Sequence, residues 1–396
     1  MEKNKEQIYN LFQMNRIRLL KYLLISIFFV STVIHAQEKY NFKVPDVDVE
    51  SFVLVDAKTG SILVTKNPDK RLEPASLTKI ALLYLVFKSL KNGVINIDDT
   101  TVISKKAWRM EGSRTFVEVN SKVKIKDLVK GVIVQSGNDA SIALAEHIAG
   151  SEDFFVSMLN KLAVDLNLKN TNFTNVTGLP NPNHYSSAKD MAIISAKLIK
   201  DFPEYYLGFS ERYFTYNKIR QPNRNRLLRS YNIVDGIKTG HTNSAGYCLA
   251  ASAKKEDTRL ISVLFGAESS RDRFRYSKTL LRFGFRNFVS KKFYSRNETL
   301  VESRVWKGEK KVLKIGFEED IYLTLLKNKD YNIKTTIKVI DDLEAPIKKN
   351  QKVGTVEFID GKEVIAADNI YALEDIQRGG FFRRSYDEIV QFFRKN

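Results

Sequence analysis

Strand-like apolar runs lie on both sides of a long helical stretch, and this arrangement constrains the fold more than any other feature of the chain. Near the start, Phe52 to Val55 and Ile62 to Val64 flank a turn. Much later, Tyr247 to Ala253 and Arg259 to Phe265 form a second pair. Helical spacing predicts helices between the pairs and after them, at 76–90, 125–134, 140–148, 153–166, 188–199 and 271–285. We therefore expect one split sheet interrupted by helices, an α+β or α/β fold.

The pattern changes beyond about residue 290. Short alternating apolar segments, bounded by charged turns, replace the helical spacing; they are 311–315, 321–325, 335–339 and 354–358. This alternation is typical of strands. With 396 residues, the chain is long enough for more than one domain, so a separate small all-β domain is expected here.

The N-terminal segment indicates export. Arg16, Arg18 and Lys21 precede an apolar stretch from Tyr22 to Ile34, and the small residue Ala36 follows. Basic, apolar and small residues in this order are typical of a secretory signal peptide. The apolar stretch is shorter than the roughly 20 residues that cross a bilayer. We expect residues 1–36 to be a signal peptide, with an uncleaved anchor as the alternative.

Charge and residue usage narrow the partners. The chain carries 64 basic and 46 acidic residues, a net charge of +18, which predicts an anionic partner. Because an exported protein does not meet nucleic acid, we expect membrane lipid or cell wall instead. The single cysteine, Cys248, excludes an internal disulfide. The four histidines lack metal-ligand spacing, so neither a metal nor another cofactor is expected.

Three short motifs carry the candidate chemistry. Ser76 and Lys79 open the first predicted helix after Pro74, and their spacing places hydroxyl and amine on one face. A neutral amine there could take the hydroxyl proton. This requires burial or nearby cations to lower the lysine pKa from about 10.4. Ser136-Gly137-Asn138 follows between two predicted helices, and Lys238-Thr239-Gly240 enters a predicted strand.

Each motif alone is weak evidence. Ser-x-x-Lys recurs at Ser121, Ser186 and Ser252, so a solvated helix face is the alternative explanation for any single copy. A second Lys-Thr-Gly starts at Lys58 in a predicted turn. Only the ordered set of three motifs indicates a shared site.

That ordered set resembles the penicillin-binding protein and serine β-lactamase superfamily, in which such motifs occur in this order. Four blocks are similar to the low-molecular-mass D-alanyl-D-alanine carboxypeptidases of the penicillin-binding protein 5 type: EPASLTKI from Glu73, QSGNDA from Gln135, YSSAKDM from Tyr185 and DGIKTGHTNSAGYC from Asp235. The resemblance runs from about residue 40 to the C-terminus. It implies an antiparallel sheet flanked by helices, a helical subdomain and a small C-terminal all-β domain.

The resemblance implies a role for each matched residue. Ser76 would attack the carbonyl of the terminal D-Ala-D-Ala bond and form an acyl-enzyme, with Lys79 as the base. Ser136 would relay a proton to the leaving amine. Asn138 would hold Lys79 and the substrate amide by hydrogen bonds. The charge of Lys238 would lower the Lys79 pKa.

Further backbone roles follow from the same resemblance. The N–H groups of Ser76 and His241 would form an oxyanion hole, the donor set that stabilises the tetrahedral intermediate. The strand 238–242, which includes Gly240, would pair with the substrate backbone in the manner of an added edge strand. No G-x-S-x-G elbow accompanies His241, so it is expected as a backbone donor and not as a catalytic base.

A carboxypeptidase must also bind the free terminal carboxylate. The Thr239 and Thr242 hydroxyls are candidates by their position. Arg224 and Arg273 fall where the family places nearby arginines, and a planar guanidinium can bind a carboxylate through two hydrogen bonds. Ala267-Glu268 departs from the family pattern close to Arg273, which makes Arg224 the preferred candidate.

An amphipathic helix is predicted near the C-terminus. One half of its wheel is apolar and the other half is mostly charged; the apolar residues are Phe381, Phe382, Tyr386, Ile389, Val390, Phe392 and Phe393. Such a helix can lie in the headgroup region with its basic residues near anionic lipid. Packing against the protein itself is the alternative.

Together these features predict an exported serine D-Ala-D-Ala carboxypeptidase that trims peptidoglycan pentapeptide stems and is acylated by β-lactams. The expected parts are a signal peptide (1–36), a catalytic domain (37–288), a β domain (289–376) and an anchor helix (377–396), placed in the periplasm on the outer face of the inner membrane. DD-endopeptidase activity and a non-catalytic penicillin or peptidoglycan sensor remain alternatives. A β-lactamase is disfavoured because no E-x-x-L-N motif lies between residues 140 and 235.

Overall fold

The computed structural model describes residues 43–395. The expected signal peptide, residues 1–36, lies outside these residues. Within the described part of the chain, no helix has both the length and the apolar character needed to cross a membrane.

The N-terminal region, residues 47–287, contains nine strands and nine helices. The strands are β1 (Ser51–Asp56), β2 (Ile62–Lys66), β3 (Thr100–Val102), β4 (Lys122–Lys124), β5 (Tyr213–Tyr216), β6 (Ile219–Pro222), β7 (Val234–Thr242), β8 (Gly246–Lys255) and β9 (Thr258–Ala267). The helices are α1 (Thr78–Lys91), α2 (Lys105–Trp108), α3 (Ile125–Lys130), α4 (Asn138–Ala149), α5 (Glu152–Asp165), α6 (Ala188–Asp201), α7 (Pro203–Tyr206), α8 (Leu227–Ser230) and α9 (Ser270–Asn287).

The early and late apolar runs meet in one sheet, which confirms the predicted α+β class. Its strand order is β2-β1-β9-β8-β7, and all its pairings are antiparallel. Alternate residues of β1 face opposite sides: Val53 joins the main core together with α1, whereas Leu54 lies next to Gly284 of α9. Helices therefore cover both faces, and β7 is left as an edge strand.

Helix α1 is the central helix of this region. It is buried over almost its whole length and contacts α4, α5 and α6 as well as β7. A short 3₁₀ turn, Ala75–Leu77, leads into it. Because α1 is held from several sides, its first turn occupies a fixed position beside the edge strand.

The second region, residues 288–376, is all-β, as predicted. Its strands are β10 (Phe288–Tyr294), β11 (Thr299–Arg304), β12 (Val312–Gly316), β13 (Ile321–Leu326), β14 (Ile333–Val339), β15 (Lys352–Asp360) and β16 (Glu363–Ala372). Five of them form a sheet in the order β11-β12-β16-β15-β14, and β10 pairs with β13. Leu323 of β13 and Phe358 of β15 share a separate apolar core. Helix α10 (Phe381–Lys395) follows.

A buried carboxylate joins the two regions. Asp56, at the end of β1, accepts hydrogen bonds from Ser290 Oγ at 2.5 Å and Thr324 Oγ1 at 2.8 Å. It also accepts the backbone N–H of Lys58 at 2.9 Å. These donors satisfy a charged group that burial would otherwise make costly.

Some elements differ from the sequence-based expectation. The predicted helix 125–134 is α3 followed by a π-helical turn, Gly131–Gln135, which ends at Ser136 in the left-handed conformation. Seven strands have no counterpart in the sequence-based prediction, because they are short or their apolar residues do not alternate clearly; they are β3, β4, β5, β6, β10, β11 and β16. The additional motif copies lie apart from the first turn of α1, with Ser252 in β8 and Lys58 in the turn after β1.

Candidate active site

Ser76 lies in the 3₁₀ turn before α1. Pro74 precedes the turn, and Ala75 adopts a positive φ of 46° that a non-glycine residue rarely adopts. Ser76 is half-buried, and its Oγ lies 3.0 Å from Lys79 Nζ. The predicted convergence of this hydroxyl and this amine on one helix face is what the structure shows.

Lys79 is fully buried and has three polar partners. Besides Ser76 Oγ, its Nζ donates to Asn138 Oδ1 at 2.8 Å and to the Thr177 carbonyl oxygen at 2.6 Å. Burial, with a smaller contribution from the positive charge of Arg224, lowers the Lys79 pKa from 10.5 to about 7, while the charge of Asp139 acts in the opposite direction. The amine can therefore lose its proton near neutral pH.

The second motif lies where the π-helical turn meets α4. Asn138 is the first residue of α4, and its Nδ2 donates to the Glu111 carbonyl oxygen at 2.6 Å, which turns Oδ1 toward Lys79. Ser136 adopts φ 64° and is almost completely buried. Its Oγ has no hydrogen-bond partner among the described residues. An unpaired buried hydroxyl is free to bond a substrate atom or a water molecule.

Lys238 lies on the edge strand β7 and is also buried. Its Nζ donates to the Thr239 carbonyl oxygen at 3.0 Å. Burial lowers the Lys238 pKa well below 10.5, and the charges of Lys79, Arg224 and Arg273 act in the same direction. The sequence-based expectation that the charge of Lys238 lowers the Lys79 pKa is therefore corrected. Burial and the charge of Arg224 lower the Lys79 pKa, and the charge of Lys79 in turn lowers the Lys238 pKa.

The end of β7 passes very close to the 3₁₀ turn that contains Ser76. A Cβ on Gly240 would lie 3.0 Å from the Pro74 carbonyl oxygen and 3.2 Å from the Ala75 Cβ, so a larger residue would push the strand away. Thr239 is buried next to it, and the exposed His241 ring lies against Tyr247 with ring centroids 4.0 Å apart.

Thr242 makes its contacts on the side of the strand facing Glu73. Its Oγ1 lies 3.4 Å from Glu73 Oε2, and Ser244 Oγ donates to the same carboxylate oxygen at 2.6 Å. The Thr242 Oγ1 also accepts the Ala245 N–H at 2.9 Å. A substrate carboxylate at Thr242 would have to share the site with Glu73, which weakens the candidacy of Thr242 relative to Thr239.

The two candidate arginines have different surroundings. Arg224 is exposed, and its Nε donates to the Gln135 carbonyl oxygen at 2.9 Å, which leaves its two terminal nitrogens without a hydrogen bond to any described residue. Arg273 is buried in α9 and donates to the Gly240 carbonyl oxygen at 2.9 Å. Arg273 thus supports β7, whereas Arg224 has a free guanidinium edge at the site.

The loop 175–178 also forms part of the site, and the sequence analysis did not predict it. The Asn175 Oδ1 accepts the N–H groups of Thr177 and Gly178 at 3.1 and 2.7 Å, which fixes the loop. Gly178 has φ +83° and touches the 3₁₀ turn that contains Ser76, since a Cβ on it would lie 1.8 Å from the Ala75 carbonyl oxygen. The Asn-x-x-Gly spacing was the available signal for this turn.

The fold and this arrangement define a class, the penicillin-binding proteins with the DD-peptidase fold. More narrowly, the chain belongs to the D-alanyl-D-alanine carboxypeptidase family, peptidase S11, whose model matches residues 38–269. A second model, the C-terminal domain of penicillin-binding protein 5, matches residues 288–378.

Named relatives agree with this assignment. D-alanyl-D-alanine carboxypeptidase DacA of Haemophilus influenzae is 44% identical over 353 residues, 87% of this chain and 90% of that protein. DacC of Escherichia coli K12 is 43% identical and covers 89% of this chain and 90% of its own.

Solved structures agree as well. Penicillin-binding protein 5 of Haemophilus influenzae has a TM-score of 0.78 at 43% identity, covering 85% of this chain and all of that one (100%). Penicillin-binding protein D2 of Listeria monocytogenes, solved in its ampicillin-bound form, has a TM-score of 0.57 at 26% identity, covering 62% and 100%.

We predict that Gly178→Ala displaces the 3₁₀ turn Ala75–Leu77, which contains Ser76. The added Cβ would overlap the Ala75 carbonyl group and lie 2.9 Å from the Ser76 nitrogen. Acylation by labelled penicillin should slow by about a hundredfold, since a shift of about 1 Å in a reacting group can cost that much. Gly150→Ala is the matched control, because Gly150 has φ +76° but nothing within 4 Å of an added Cβ. Equal acylation rates in the two variants would contradict the prediction.

Proposed function

We propose that this chain is a serine-type D-Ala-D-Ala carboxypeptidase that removes the terminal D-alanine of peptidoglycan stem pentapeptides, with Ser76 as nucleophile and Lys79 as base. The observation that carries the residue assignment is the hydrogen-bonded contact between a buried lysine amine and the Ser76 hydroxyl. The same serine would be acylated by β-lactams, a proposal that the ampicillin-bound Listeria relative supports.

The three partners of Lys79 support its role as base. A neutral amine has two hydrogens and one lone pair. The Thr177 carbonyl oxygen and Asn138 Oδ1 can only accept, so they take the two hydrogens. The lone pair is then left for the remaining neighbour, the Ser76 hydroxyl, whose proton it can receive.

The reaction follows from this geometry in two stages. As Lys79 takes the proton, Ser76 Oγ bonds to the substrate carbonyl carbon and the C–N bond breaks, releasing D-alanine. We propose that the Ser136 hydroxyl passes the proton to the leaving amine, since it is buried near Asn138 with no other described partner. Water then attacks the acyl-enzyme and releases the shortened stem.

The edge of the sheet supports substrate binding. We propose that β7 pairs with the substrate backbone, because it is the last strand of the sheet and its far end lies against the nucleophile turn. The N–H groups of Ser76 and His241 would stabilise the oxyanion. Arg224 and Thr239 would bind the terminal carboxylate, with Lys238 close by as a further positive group. Arg273 would act indirectly, by supporting Gly240.

A peptide assay tests this function. The enzyme is incubated with diacetyl-Lys-D-Ala-D-Ala while D-alanine release is followed, and a parallel sample receives labelled penicillin. We expect D-alanine release and labelling in the wild type and neither in Ser76→Ala. Labelling that depends on Ser76 without D-alanine release would favour a penicillin or peptidoglycan sensor instead.

We predict that the acylation rate rises with pH through about 7 and then levels off, since protonated Lys79 cannot accept the Ser76 proton and its pKa is about 7. The rate constant for labelled penicillin is measured across the pH range. Arg224→Gln should move the midpoint to higher pH, because the charge of Arg224 lowers the Lys79 pKa. A flat profile, or a midpoint that Arg224→Gln leaves in place, would exclude this assignment.

We further propose export through residues 1–36, a catalytic domain spanning 37–288, a β domain spanning 289–376 and attachment of 377–396 to the outer face of the inner membrane. Nucleic acid is not an expected partner of such an exported protein. The region 289–376 would hold the active site away from the bilayer.

Helix α10 supports the proposed attachment, because its apolar residues stay exposed: Phe382 is 88% and Phe393 77% accessible.

The opposite face of α10 docks on the β region. Asp387 is completely buried, accepts the Lys307 N–H at 2.7 Å and lies 3.4 Å from an Arg304 nitrogen. Arg383 and Arg394, on the same helix face, lie near Asp387 and Asp342. The helix therefore packs on the protein through its polar face, and its exposed apolar face supports the proposed attachment to lipid.

We predict that deleting residues 379–396 releases active enzyme from membranes. Vesicles containing anionic lipid should sediment the intact protein, while the truncated protein stays in solution and still releases D-alanine. Phe154→Ser with Val164→Ser serves as a control, because these residues are 69% and 78% accessible but lie on α5. Retention of the truncated enzyme on membranes would reject the anchor.

A further inference from the structure

A histidine buried behind the nucleophile turn has no part in the reaction described above. His184 Nε2 lies 2.8 Å from Thr78 Oγ1, and Thr78 Oγ1 donates to the Ala75 carbonyl oxygen at 2.8 Å. All three residues are buried, with accessibilities of 2% for His184 and 0% for Thr78 and Ala75. A buried polar chain of this kind is costly unless each bond in it is made.

The surroundings fix the direction of each hydrogen bond that runs from His184 through Thr78 to Ala75. The backbone N–H of Thr174 donates to His184 Nδ1 at 3.0 Å, so Nδ1 must be the unprotonated nitrogen. The proton of the neutral ring is therefore on Nε2 and points to Thr78 Oγ1. Burial and then the charge of Lys79 lower the His184 pKa to about 4, which agrees with a neutral ring.

The last acceptor in this series of hydrogen bonds is the Ala75 carbonyl oxygen, which belongs to the same peptide bond as the Ser76 N–H. This Ala75–Ser76 bond is not among the cis peptides, so its C=O and N–H point in opposite directions within one plane. Holding the Ala75 oxygen on one side thus orients the Ser76 N–H on the other. The positive φ of Ala75, 46°, makes this orientation unfavourable without support.

We propose that His184 and Thr78 are positioning residues that aim the Ser76 N–H at the oxyanion formed during acylation. The inference rests on the proposed function, in which Ser76 is the nucleophile and its N–H an oxyanion donor. Thr78 acts directly on the Ala75 carbonyl group, and His184 acts through Thr78 by occupying the hydroxyl lone pair and directing its hydrogen.

The test compares Thr78→Val, which keeps the side-chain shape without the hydroxyl, with Thr78→Ser, which keeps the hydroxyl. Stopped-flow acylation by a penicillin gives the rate constant separately from the initial binding constant. Infrared spectroscopy gives the ester carbonyl stretch of the acyl-enzyme, which moves to higher wavenumber as oxyanion-hole hydrogen bonds weaken.

We expect Thr78→Val to slow acylation by at least about tenfold, less than the loss of a whole oxyanion donor. Its initial binding constant should stay unchanged and its carbonyl band should move to higher wavenumber. Thr78→Ser should retain the wild-type rate and band. Ser195→Ala is the matched control, because it removes another buried helical hydroxyl, which donates to the Met191 carbonyl oxygen at 2.6 Å.

The His184 variants provide a second arm that does not depend on whether Thr78→Val folds. His184→Gln offers an amide N–H in place of Nε2–H and should keep more of the acylation rate than His184→Leu, which offers none. Equal rates in this pair, or a wild-type rate and band in folded Thr78→Val, would overturn the inference. Acylation of Ser76→Ala would instead overturn the proposed function.

Discussion

The amine of Lys79 is the group on which the rest of the site depends. Taking a lysine out of water costs several kcal/mol if it stays charged, and the structure reduces this cost by lowering its pKa and supplying hydrogen-bond acceptors. The acceptors come from α4 through Asn138 and from the loop 175–178 through Thr177, while Ser76 comes from the turn before α1. A misplaced element would remove one of the three partners of the buried amine.

The fold explains how distant segments reach one amine. Helix α1 is surrounded by other helices and by the sheet, so its first turn cannot shift without disturbing the core. Strand β7 approaches that turn closely because Gly240 has no side chain, and Gly178 approaches it from the loop for the same reason. The two glycines thus allow β7 and the loop 175–178 to contact the turn that contains Ser76. The buried guanidinium of Arg273 holds β7 by donating to the Gly240 carbonyl oxygen.

Contacts between residues close in sequence were predictable from the sequence. The arrangement of distant segments around the site was predictable only in part. The contact of Ser76 with Lys79 follows from helical spacing, and the sheet follows from apolar periodicity. The Thr177 carbonyl group could not be predicted, since every residue has one and only the fold selects which one faces the amine. The positive φ angles of Ala75 and Ser136 were equally hidden, because neither residue type favours them. For α10, the sequence separated two faces, but only the buried Asp387 shows which face docks.

Several positively charged side chains lie near the Lys79 and Lys238 amines, which explains why an anionic substrate suits this site. The Lys79 pKa falls through burial and repulsion by Arg224. The Lys238 pKa falls through burial and repulsion by Lys79, Arg224 and Arg273. A substrate carboxylate would relieve the repulsion, yet an anion beside Lys79 would also raise its pKa and reduce its strength as a base near neutral pH. Binding and proton transfer are compatible only if the carboxylate is held away from Lys79. We propose that the exposed Arg224, with its free terminal nitrogens, pairs with the carboxylate. Because this pairing would offset the charge by which Arg224 lowers the Lys79 pKa, the burial of the amine, which is the larger cause, has to keep that pKa low once the substrate is bound.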